Sequence, residues 1–245
     1  MVDKKDILKG SPYETFVECG GVYKSPEDRN ENYLGPLVAY DGAYIDANGN
    51  KKNYVGFYHY NTIPIEQLFE TREYFSNILA ETIKANLYFS SYQLIAAPED
   101  FILTIATADK LQCPKSFFEK KVLEVASPKN RRKEESILIY DRKNIQVGGN
   151  YIIFEGVCNN FFTTKEMIDF IESTGGNIVA IACIINRSEK KSFCGIPVLS
   201  VIHIPTPQYQ QDDPMVKKLI EECNIVWEPE KYWSFLQEEM RKYKR

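Results

Sequence analysis

Apolar positions recur along the chain with two periods, and the switches between them mark its elements. After Pro64 and Glu66, the residues Leu68, Phe69, Tyr74, Phe75, Ile78, Leu79, Ile83 and Leu87 fall at helical spacing and predict a single long helix. Residues 92–97 form a short apolar run that reads as a buried strand. The loop Pro98-Glu99-Asp100-Phe101 follows, and a helical stretch then runs to about Leu111 before Pro114. Two further strands are predicted at 117–125 and 137–140, around a polar loop at 127–135. Next, four apolar residues at 151–154 lead into Glu155, then a polar and aromatic loop at 156–162. Thr163 and Glu166 have the spacing of a capping box, which predicts a helix opened by Thr163. Gly175-Gly176 supplies its stop, and a second apolar run occupies 177–185.

The flanks are less regular. Residues 1 to about 36 are polar, are broken by Gly, Pro and Asn, and read as a partly ordered arm. Residues 37–60 read as a hairpin, because Asn48-Gly49 lies between apolar segments. Past a solvated loop at 188–192, Ile196-Pro197-Val198 enters a strand at 199–204, and short helices are predicted at 215–223 and 229–243. The alternation of strand and helix over 66–204 predicts an α/β fold with a mostly parallel central sheet flanked by helices. Such sheets bind ligands beyond the carboxyl ends of their strands. The loop after Glu155, with a helix N-terminus behind it, is the first candidate for holding a phosphate-bearing ligand.

Composition narrows the classes. The 245 residues suffice for one large domain, or one domain with an appendage. A net charge of -4 argues against nucleic acid or an anionic membrane as partner. No apolar run reaches the roughly 20 residues of a membrane span, and the polar start MVDKKDILKG is unlike a secretory signal. None of the six cysteines lies in a CxxC pair, and His59 and His203 are the only histidines. The expectation is a cytoplasmic protein without disulfides and without a protein-bound metal among its site residues.

Residues 151–164 resemble the motif with which type I phosphoribosyltransferases bind phosphoribosyl diphosphate (PRPP). Within that group the chain is most similar to the orotate phosphoribosyltransferases. Residues 151–154 match the apolar run, Glu155 matches the first of two adjacent acids, and Gly156 stands at the second. Val157 and Cys158 fit. Asn159-Asn160-Phe161-Phe162 replace the glycine-containing phosphate loop, and Thr163-Thr164 trail it. The strand NIVAIACIINRS and the entry GIPVLSVIHIP are similar in kind to the family, as is the helix, strand, loop and helix over 66–111. The resemblance implies a phosphoribosyltransferase core at 66–205, a hood from 1–65, C-terminal helices at 206–245, and a homodimer. It implies transfer of phosphoribosyl between PRPP and a pyrimidine-like base with Mg²⁺.

Residue by residue, the resemblance makes Glu155 the ribose ligand and puts Asn159, Asn160, Phe161, Phe162, Thr163 and Thr164 at the 5′-phosphate. Pro98, Glu99 and Asp100 stand in the pyrophosphate loop, and Lys120, Arg131, Arg132 and Lys133 lie where the family reaches the pyrophosphate. The altered loops imply that transfer is weak or lost. The alternative is a non-catalytic nucleotide- or phosphate-binding homodimer with a regulatory or structural role. Each residue also has a plainer reading. Glu155 can be a solvated carboxylate, Asn159 and Asn160 turn residues, and Thr163 a cap. Phe161 and Phe162 either plug the phosphate position or stack on an aromatic ligand. Glu99 and Asp100 either bind Mg²⁺ or make an acidic helix start. The basic run at 131–133 either gathers anions or is a solvated loop. The histidines read as structural, and Cys158 as a thiol whose pKa a nearby helix start lowers.

Overall fold

The computed structural model describes residues 10–29, 32–88, 91–125, 133–139 and 145–243. Its contacts divide it into two compact units, residues 1–67 with 204–245, and residues 68–203. In chain order the elements are α1 (Pro12–Glu18), β1 (Val22–Lys24), β2 (Leu37–Ile45), β3 (Lys51–Gly56), β4 (Tyr58–Tyr60), α2 (Ile63–Gln67), α3 (Phe69–Asn86), β5 (Gln93–Ala96), α4 (Phe101–Leu111), β6 (Lys115–Phe117), β7 (Glu119–Val125), β8 (Lys133–Ile139), β9 (Asn150–Cys158), α5 (Phe162–Ser173), β10 (Asn177–Asn186), β11 (Ser192–Phe193), β12 (Ile196–His203), α6 (Pro214–Glu221), β13 (Ile225–Val226) and α7 (Trp233–Lys242).

The first unit joins both ends of the chain. Where an arm was expected, α1 forms, because Ser11 and Glu14 make a reciprocal capping box and Pro12 opens the helix. The hairpin expected over 37–60 forms from β2 and β3 only, since β4 pairs with β1; its turn is closed by Asp46, whose carboxylate accepts from the Asn48 and Asn50 amides at 2.9 and 2.8 Å. β13 adds to β2 in parallel, and Val216 of α6 packs with Leu37, Ala39, Val55 and Phe57. Leu236 of α7 packs with Tyr23, Val38 and Tyr40.

The second unit is built on the sheet β11-β12-β10-β9-β5-β6. Its four internal pairings from β12 to β6 are all parallel, and only the short β11 runs antiparallel. Helices α3, α4 and α5 complete an α/β unit of the expected class. Tyr151, Ile152, Ile153 and Phe154 of β9 are all buried, as a strand paired on both edges and covered on both faces requires. β7 and β8 pair with each other in a separate two-stranded sheet.

Three expected boundaries move. The single long helix is two, because Leu68 adopts extended backbone and its carbonyl starts α3. The strand expected at 117–125 breaks into β6 and β7, since the Phe118 amide bonds the Ala96 carbonyl at 3.0 Å. The polar loop is shorter than expected, because residues 133–135 pair within β8.

The Gly-Gly stop of α5 forms as the sequence predicts. Gly175 takes φ 86°, and the Gly175 and Gly176 amides bond Glu172 and Ile171, both at 3.0 Å, in a Schellman arrangement. A Cβ on Gly176 would lie 2.8 Å from both the Ile171 side chain and the Tyr151 ring. That ring is locked, since its hydroxyl accepts from the Gln146 amide at 2.6 Å. Gly176→Ala is therefore expected to lower stability by about 1–3 kcal/mol through overpacking, measured by urea unfolding. An unchanged midpoint would show that Tyr151 yields freely.

Candidate functional site

In the second unit the carboxyl ends of β5, β9 and β10 are stitched together. The Ala97 amide bonds Phe154 at 2.8 Å, and the Arg187 amide bonds Cys158 at 3.0 Å. Glu155 occupies the first rung past the apolar run, paired with Cys183 on β10. The topology thus brings the 98–100 loop, Glu155 and the 159–161 loop to one edge, with α4 and α5 starting there, as parallel βα units do.

Glu155 is the best-defined group at this edge. Its Oε2 accepts from the Thr164 hydroxyl at 2.6 Å and from the Cys158 thiol at 3.4 Å. The residue keeps some exposure, with its carboxyl held between the end of β9 and the first turn of α5. Burial pushes its pKa up, and the hydrogen bonds from Thr164 and Cys158 pull the other way. Cys158 is fully buried, and burial together with the neighbouring Cys183 and Glu155 raises its pKa well above the usual thiol range. This corrects the expectation of an activated thiol: the helix start nearby does not offset loss of solvent.

The start of α5 also differs from the sequence expectation. Thr163 is the second residue of the helix and not its cap. The N-cap position falls to Phe161, which lies in the left-handed region at φ 58°, ψ 26° and makes no side-chain cap. Left-handed backbone costs a non-glycine residue about 1–2 kcal/mol. The compensation is visible around the ring, which is 2 % exposed and stacks on Phe193 at 4.7 Å and 14°. The Lys190 ammonium lies 5.9 Å from the Phe161 ring centre and 5.1 Å from that of Phe193. Phe162 is 66 % exposed, so of the two expected plugging rings only Phe161 is inside. Asn159 and Asn160 are half-buried in the loop between them and Cys158.

The 98–100 loop shows a parallel feature. Glu99 is exposed and left-handed at φ 74°. Asp100 stands at the N-cap of α4, but its side chain does not cap the helix; its carbonyl accepts from the Thr104 hydroxyl at 2.6 Å. Pro98 is half-buried before it. Two neighbouring strands thus end in loops that each carry a left-handed residue, where glycine would be unstrained.

Of the other expected residues, Lys120 and Lys133 belong to the separate two-stranded sheet β7–β8. In the β7–β8 hairpin, Lys120 pairs with Leu138 near the open end and Lys133 with Val125 at the closed end, so the backbone register separates these two lysines along the hairpin. Arg131 and Arg132 lie outside the described residues. Among the described residues no three His, Cys, Asp or Glu side chains gather to hold a metal ion. Sequence reasoning missed Phe193, Lys190 and Asn186, and it assigned Thr164 to the phosphate without foreseeing its bond to Glu155. Asn186 is buried, and its Oδ1 accepts from the Ser188 amide and hydroxyl at 3.0 and 2.7 Å. Its Nδ2 donates to the Lys190 carbonyl at 2.7 Å, which fixes the segment carrying Lys190. His203 Nε2 donates to the Ser188 carbonyl at 2.9 Å, a structural role. His59 packs 5.7 Å from Trp233 in the other unit.

Because the Glu155 pKa is raised in the folded protein, its proton stabilises the fold. That contribution is complete below the ordinary carboxylate range and is lost as pH rises through the elevated value. Glu155→Gln keeps an acceptor for Thr164 and removes this dependence. The variant is expected to match the parent near pH 4 and to exceed it in stability at pH 7–8, by denaturant unfolding across pH. Equal slopes with pH for both proteins would contradict a raised Glu155 pKa.

No known protein-family model matches the chain. Among curated proteins, the orotate phosphoribosyltransferase of Caulobacter vibrioides is 29% identical over 69 residues, 28% of this chain and 36% of that protein. Orotate phosphoribosyltransferase 2 of Mesorhizobium japonicum is 31% identical over 71 residues, 29% of this chain and 37% of that protein. The chain thus matches little more than a third of the length of these relatives. Among solved structures, the orotate phosphoribosyltransferase of Aeropyrum pernix overlaps 85% of this chain and 96% of its own, with 12% identity and a TM-score of 0.47. Over a stretch of about 70 residues, the chain is similar in sequence to orotate phosphoribosyltransferases.

Proposed function

We propose that this protein binds a phosphorylated ribose, as PRPP or a nucleotide, at the carboxyl edge of its parallel sheet, and that its phosphoribosyl transfer is weak or lost. The observation that carries the reading is the state of Glu155. A ribose diol is gripped by an anionic carboxylate that accepts from its hydroxyls. Here one carboxylate oxygen already accepts from Thr164 and Cys158, and burial favours the protonated form. One acid can still hold a hydroxyl. Gly156 supplies no second charge to steady a positively charged sugar in the transition state, and losing one such electrostatic group costs about 10²–10³ in rate. Backbone geometry supports descent from an anion-binding site. Glu99 and Phe161 hold left-handed conformations in the two loops where the resembled family has glycine. The homodimer implied by the resemblance belongs to the same proposal, and sedimentation velocity checks it.

A thermal-shift titration with PRPP, with and without Mg²⁺, comes first, followed by an orotate turnover assay. A ligand at about 100 times its dissociation constant adds roughly 2.7 kcal/mol to stability. The expected result is a rise in melting temperature with little or no turnover. A flat response to PRPP and to nucleoside monophosphates would remove the phosphoribosyl reading. Robust turnover would overturn the loss of activity.

A further inference from the structure

We infer that Phe161 is a gate on the carboxyl edge, closed by its stack on Phe193 beneath Lys190. The inference rests on the reading of that edge as a ligand site. Phe161 is the residue through which the β9 loop enters α5, and its carbonyl accepts the Lys165 amide at 2.9 Å. With φ at 58°, the backbone is in a conformation that phenylalanine does not choose for itself. It is held there by ring burial and by the stack, whose partner Phe193 comes from β11 beyond the next strand's loop. The 187–191 segment between them is tied down by Asn186, so Lys190 is presented over both rings and not left to sample solvent at random. A side chain held against its backbone preference by burial and by a stack with a partly buried partner has two arrangements available. In the closed one, the ring faces the core and Thr164 keeps Glu155. In the open one, Phe161 relaxes to extended backbone, its ring leaves Phe193, and the first turn of α5 shifts, which frees Glu155 from Thr164. An anionic ligand favours opening because it competes with the rings for the Lys190 ammonium.

Two variants test this. Phe193→Leu keeps an apolar side chain but removes the stack, and Lys190→Gln is an exposed change that removes the cation without disturbing the core. Hydrogen exchange of the ligand-free protein reads the Lys165 amide. The expected result is exchange about 5–10-fold faster at Lys165 in Phe193→Leu and about 2–5-fold faster in Lys190→Gln, with the Ile181 amide of β10 unchanged. PRPP titration of the same proteins is expected to show about 5–10-fold tighter binding by Phe193→Leu, because less of the protein is closed. Unchanged Lys165 exchange in both variants overturns the gate whatever binds. Faster exchange with PRPP affinity equal to the parent's also overturns it, since opening then has no bearing on the ligand. Faster exchange with no PRPP binding by any of the three proteins removes the phosphoribosyl reading and leaves Phe161 as a two-state contact in the fold.

Discussion

A strand paired on both edges and covered on both faces has nowhere to put a polar side chain until it reaches the end of the sheet. β9 is such a strand. Its four residues from Tyr151 to Phe154 are buried, and the first carboxylate, Glu155, appears where β5 has already ended and β10 continues. Everything at the candidate site follows from that placement. Glu155 is close enough to solvent to ionise and close enough to the core to resist it. Its nearest donors come from the strand's own last residue, Cys158, and from the helix that the strand feeds, Thr164. A carboxylate on a loop would not be constrained in this way.

That constraint explains why much of the second unit was legible in the sequence. Continuous apolar runs at 151–154 and 177–185 have one reading in an α/β protein, and the Gly-Gly pair between them marks a helix end by backbone conformation alone. What was not legible depends on residues far apart in the chain. Thr163 and Glu166 form a correct local signal for a cap, but the cap loses to two remote demands: Thr164 is drawn to Glu155, and the Phe161 ring is drawn to Phe193. No spacing rule contains Phe193. In the first unit the reverse occurred, since Ser11, Pro12 and Glu14 form a complete local helix signal that a polar, glycine-broken context obscured.

The loops after β5 and β9 share one backbone feature. Left-handed conformations at Glu99 and Phe161 suit glycine, and each belongs to a side chain with its own interactions or exposure. Phe161 offsets its backbone cost with burial. Glu99, exposed at φ 74°, has no such visible compensation. The two loops have thus met the same geometric requirement in different ways, one by filling the interior and one by standing in water.

The interleaving of the units carries a consequence for synthesis. The second unit is continuous from residue 68 to 203, so a ribosome delivers all of it before residues 204–245 of the first unit exist. The first unit pairs β2 with β13, Leu37 opposite Ile225, and those partners are made nearly a whole chain apart. Until Ile225 has left the exit tunnel, β2 has the hairpin partner β3 on one side and an open edge on the other. An open edge at Leu37 and Val38 invites pairing with another nascent chain until β13 arrives to cover it.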